Sequence, residues 1–91
     1  MMYFYDDNEV QKLLTQYLHR KRKEKRFSRD ELAQRSGVPA STIRKFENTG
    51  QISLRQFLAL WLILDSMEKL VALTKETPTM PKTIDEVLRN G

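Results

Sequence analysis

The chain has 91 residues, 40% of them apolar, with four Phe, three Tyr and one Trp, enough for one small core and little else. It has no cysteine and a single histidine, His19, which excludes disulfides, thiolate zinc, multi-histidine metal sites and thiol nucleophiles; its three glycines leave no Gly-rich phosphate loop. The formal charge is a modest +4, and the longest apolar run, Phe57 to Leu64, is far short of the roughly twenty residues needed to span a bilayer.

The elements read as helix almost throughout. Asp7 or Asn8 is expected to cap a first helix, with Glu9 in its first turn and Val10, Leu13, Leu14, Tyr17 and Leu18 on one stripe. That helix runs on to about Lys25 through the one strongly charged stretch. Residues 19–29 hold seven bases and one acid, so the whole positive excess sits in eleven consecutive residues. A basic cluster of this density favours a polyanion partner, because each neutralised phosphate releases condensed counterions. Arg20 to Arg26 include no apolar residue, which disfavours a membrane surface.

Ser28-Arg29-Asp30-Glu31 is a capping box, with Phe27 at the staple position before it. The second helix, 29–36, ends at Gly37, and Pro39 introduces a third that starts near Ala40 and runs through Ile43 and Phe46 to Glu47 or Asn48. Two helices joined by so short a Gly-containing turn form a helix-turn-helix connection. After the turn Asn48-Thr49-Gly50-Gln51, Ser53 caps a fourth helix, Leu54 to Leu64, and Asp65-Ser66-Met67-Glu68 reads as a second capping box, opening a fifth. Thr74 to Lys82 reads as an extended linker, and Thr83-Ile84-Asp85-Glu86 as a third box before a short terminal helix. Met2 to Tyr5 alone hints at strand alternation. Both ends, Met2–Tyr5 and Met80–Leu88, are too apolar for free tails.

The stretch F-S-R-D-E-L-A-Q-R-S-G-V-P-A-S-T-I-R-K-F-E-N, residues 27–48, resembles the helix-turn-helix of the Cro/lambda-repressor (XRE) family, and the resemblance extends more loosely over 10–73. It rests on Ser28 with Glu31, Leu32-Ala33, Gly37-Val38, Ser41-Thr42-Ile43, Glu47 and Ser53-Leu54. It implies an all-α, five-helix lambda-repressor-like domain over 1–76, with its helix-turn-helix core at 29–48 and a C-terminal extension, 77–91. In such a unit the second helix of the pair lies in the major groove and reads bases from its N-terminal half.

Ala40, Ser41, Arg44 and Lys45 face away from Ile43 and Phe46, and the resemblance places Ala40, Ser41 and Arg44 at base edges. Arg44 leads, since a bidentate guanidinium on guanine O6/N7 is the commonest specific contact. Phosphate contacts are expected from Ser28 and Arg29 at the N-terminus of the second helix, from Arg29 and Gln34 as the resemblance implies, from Thr42, with Lys45 also in reach of the flanking phosphates, and from Lys23 and Arg26 of the basic run. The resemblance also pairs Arg22, late in the first helix, with Glu47, late in the third. His19 is expected to be a solvated helix residue.

Two features depart from the family pattern. Lys21 stands where a core aliphatic is usual, so either its stem covers apolar surface or the first helix is rotated. The fourth helix is apolar nearly all round, which assigns Trp61, Leu62, Ala59 and Leu70 to a dimer or partner surface and leaves Leu58 and Ile63 or their neighbours to the core.

The implied function is a sequence-specific repressor, bound as a homodimer to a palindromic operator in double-stranded DNA. The run Phe57–Leu73 with the tail T-P-T-M-P-K-T-I-D-E-V-L-R is similar to HipB-type antitoxins, whose partners are HipA-type kinase toxins. The alternatives are a phage-type or restriction–modification controller regulator, and a protein-binding adaptor that has lost DNA binding. No cofactor, metal or catalytic constellation is expected, and the N-terminus has no secretory signal pattern, so the chain is expected to be a cytoplasmic, nucleoid-associated binding protein of a bacterium or phage.

Overall fold

A computed structural model describes residues 5–75 as five helices: α1 (Asp7–Glu24), α2 (Arg29–Ser36), α3 (Ala40–Thr49), α4 (Leu54–Leu64) and α5 (Met67–Ala72). No strand occurs among the described residues. Residues 2–4, the 76/77 division and the terminal helix expected from Thr83 lie outside them.

The helix ends follow local chemistry. The α1 cap is Asp6, one residue before the expected position: its carboxylate accepts the Glu9 amide at 2.8 Å, leaving Asp7 and Glu9 in the first turn to meet the helix dipole. At the other end Arg26 takes the left-handed conformation, φ +59°. Its N–H donates to the Lys23 carbonyl and that of Phe27 to the Arg22 carbonyl, at 3.0 and 3.1 Å, the paired bonds of a Schellman stop.

The box at Ser28 is complete, with Glu31 N–H on the Ser28 hydroxyl at 3.0 Å and the Ser28 N–H on the Glu31 carboxylate at 3.2 Å. Gly37 closes α2. Helix α3 runs to Thr49, slightly beyond the expected end, and stops at Gly50, φ +79°. Here glycine is required twice over. A Cβ at Gly50 would sit 3.2 Å from the Thr15 hydroxyl on α1, and the Gly50 carbonyl accepts from Gln11 Nε2 at 2.6 Å.

The expected box at Asp65 is corrected. Ser66 is the α5 cap, accepting the Glu68 amide at 3.2 Å. Asp65 is held instead by the Tyr17 hydroxyl, by Lys69 Nζ at 2.9 Å and by the Ser66 N–H at 2.6 Å. These contacts, the Tyr17 hydroxyl foremost, keep its carboxyl well below the usual aspartate range.

The core is Leu18, Leu32, Val38, Ile43, Phe46, Leu60, Trp61 and Leu64, drawn from α1 to α4 and the α2–α3 turn. Of the expected α1 stripe, Leu18 alone is buried; Tyr17 is half-buried, and Val10, Leu13 and Leu14 are exposed because the first half of α1 extends past the core. Leu58 and Ile63 are half-buried, the interior of α4 belonging to Leu60, Trp61 and Leu64.

Candidate nucleic-acid interface

Helix α3 is held by one face and free on the other. Ile43 and Phe46 are buried against the core, so the opposite side is left to Ala40, Ser41, Arg44 and Lys45. With Asn48 and Thr49 these residues line one open depression of about 410 Å³. Ser41, Arg44 and Lys45 are exposed, and Ala40 and Thr42 half-buried. Neither Arg44 nor Lys45 makes an ion pair among the described residues. An unpaired guanidinium beside a hydroxyl and an ammonium on an open, shallow surface suits base edges and phosphates.

Lys23 and Arg26 are exposed at the end of α1, Ser28 and Gln34 are exposed on and before α2, and Arg29 is partly covered. The Ser28 hydroxyl accepts within the cap, which leaves its proton for an outside acceptor. Arg29 has a second role that the sequence reading missed: its Nε donates to Glu47 Oε1 at 2.9 Å. The signal was the single acidic residue of α3, Glu47, which takes hydrogen bonds from two arginines.

Arg22 and Glu47 meet in a forked pair, Nε to Oε2 at 2.7 Å and Nη2 to Oε1 at 3.0 Å, with both side chains about 95% buried (5% and 4% exposed). Arg22 Nη1 also donates to the Phe27 carbonyl at 2.8 Å. One guanidinium therefore fixes α3 to α1 and to the segment entering α2, and so sets the position of α2 and α3. Burial pushes the Glu47 carboxyl up; the hydrogen bonds of Arg22 and Arg29 and the charge of Arg22 outweigh it, and the net shift is downward. Lys21 lays its stem beside Tyr17, with Nζ 5.5 Å from the ring centroid and 3.9 Å from Glu24. His19 is half-buried rather than fully solvated.

The surface assigned to α4 is divided. Trp61 is corrected: it is 5% exposed, stacked on Tyr17 at 5.5 Å, 5.7 Å from Phe57, and its indole N–H donates to the Ser66 carbonyl at 2.8 Å. A buried Trp needs a partner for its N–H, and the α4–α5 turn supplies one. Leu62, by contrast, is 59% exposed, while Ala59 and Leu70 are half-buried against the core.

Among the described residues no helix is long and apolar enough to cross a membrane. A family model described as "Helix-turn-helix" matches residues 18–60, from the second half of α1 into α4. No curated protein and no solved structure matches the chain. The match supports a helix-turn-helix unit of the Cro/lambda-repressor (XRE) type over residues 18–60, and with it a DNA-binding regulator of transcription.

Proposed function

We propose that the protein is a repressor that binds a palindromic operator as a homodimer, and that it is the DNA-binding antitoxin autoregulating a toxin–antitoxin operon. The observation that carries the first part is the division of labour among the arginines. Arg22 and Arg29 are held by Glu47, whereas Arg44 stands unpaired with Ser41 and Lys45 on the exposed face of α3. One unit offers one recognition helix, and two units spaced by one helical turn of DNA read a two-fold symmetric site. The exposed Leu62 on α4 supplies apolar surface for that pairing. Such a regulator works in the cytoplasm, on the nucleoid.

The test is selection of a preferred duplex from a random pool, followed by titration against salt. Binding to one symmetric sequence, falling linearly in log K against log salt, supports the repressor. Absence of any duplex preference, with a stable protein partner instead, favours the adaptor. The antitoxin reading rests on the similarity of 57–73 and the tail to HipB-type proteins. Capture of the intact protein with its co-purifying chains checks it: a kinase of the HipA type supports it, and a dimer with DNA alone favours a phage-type or restriction–modification regulator.

A further inference from the structure

An apolar groove elsewhere on the molecule has no part in the α3 face. It lies between the first half of α1 and the start of α4, holds about 280 Å³, and is lined by Leu14, Phe46, Ile52, Leu54 and Phe57, with Gln11 at its rim. Val10, one turn before Leu14, and Leu13, its neighbour, are exposed too, so the apolar surface continues along α1. Contiguous exposed apolar side chains of this kind mark a contact surface.

We infer that the groove is the docking site of the chain's own C-terminal segment, residues 83–90, with Ile84, Val87 and Leu88 as the inserted side chains. Two observations select this occupant. Ile84, Val87 and Leu88 stand at i, i+3 and i+4, the spacing of one apolar helix face, behind the Thr83/Glu86 capping pattern.

Reach also suffices. Lys69 contacts Tyr17, which is one turn from Leu14 on α1. The eight residues 76–83 extend up to about 26–29 Å, about the full length of α1. The N-terminal residues fit less well. Tyr5 is 63% exposed and the chain enters α1 extended at Asp6. Residues 1–4 reach at most about 13–14 Å, and would have to double straight back along roughly 12 Å of helix to meet Leu14.

The chain has no cysteine, so Asn90→Cys gives a single attachment point for a nitroxide on the full-length protein. With isotope-labelled, spin-labelled chain diluted into excess unlabelled chain, the amides of Gln11, Leu14 and Ile52 should lose intensity, while those of Gln34 and Ser41 keep theirs. Ile84→Asp with Leu88→Asp should restore the lost signals without lowering the melting temperature. Full intensity at the groove overturns the proposal, as does attenuation centred on Leu62 and Val71. Attenuation that appears only when label and isotope are on different chains also overturns it, naming a second copy as the occupant.

Discussion

Arg22 and Arg44 carry the same guanidinium into opposite surroundings, and the two should fail differently. Arg22 is enclosed with Glu47, so Arg22→Ala strands a buried carboxylate with only the half-covered Arg29 as partner and should lower stability by about 3–5 kcal/mol. Arg44→Ala removes a side chain with no ion pair and should leave the melting temperature unchanged while abolishing preference for the operator. Matched thermal melts and DNA titrations check this; equal stability of the two variants would sink it. Glu47 also sets an acid limit. Its carboxyl titrates below the ordinary 4.5 in the folded protein, so its contribution is fully present above that pH and is lost as pH falls through the folded value. Glu47→Gln should be less stable at neutral pH, yet lose less of its remaining stability on acidification. Asp65, lowered in the same direction, keeps the residual slope above zero. An acid transition unchanged by Glu47→Gln would count against this assignment.

At the scale of helices, the end of α1 is the place where stability and binding pull apart. A non-glycine residue in the left-handed conformation costs roughly 1–2 kcal/mol, part of which glycine would return as flexibility in the unfolded chain. Arg26→Gly should therefore raise the melting temperature by a few degrees at most. If Arg26 neutralises a phosphate, the same change should reduce the slope of log K against log salt by about 0.9. Melts and a salt series test both signs, and a variant with lower stability and an unchanged slope contradicts the reading. Most helix ends were legible in the sequence, because Ser28 with Glu31, and Gly37 and Gly50, act on neighbours three or four residues away. Asp65 was not legible. Local spacing made it a cap, but Tyr17, 48 residues earlier, claims its carboxylate and passes the capping role to Ser66. The same reach across the fold explains Trp61, whose indole finds Tyr17 and Ser66 rather than solvent or a partner.

For the molecule as a whole, the over-apolar α4 resolves into an inner side of Leu60, Trp61 and Leu64 and an outer side on which Leu62 is exposed. Periodicity could announce that α4 has too few polar residues, but not which side faces in. That depends on where α1 and α5 lie, which the helical pattern of either does not encode. The exposed side of α3 was legible for the opposite reason, since Ile43 and Phe46 fix its inner face and leave the remainder outside. Leu62→Glu places a charge at the proposed pairing surface and should convert the dimer to monomer in sedimentation with little change in folding. Loss of bivalency should weaken operator binding by roughly 10²–10⁴-fold. A variant that remains dimeric removes Leu62 from the interface. The burial of Trp61 has an optical corollary. It is the only tryptophan in the chain, shut between two aromatic rings, and it takes no part in the depression on α3. The protein thus contains a fluorophore that reports on its own folding and is blind to its ligand: emission should move to longer wavelength as the domain melts, and stay constant while duplex is added.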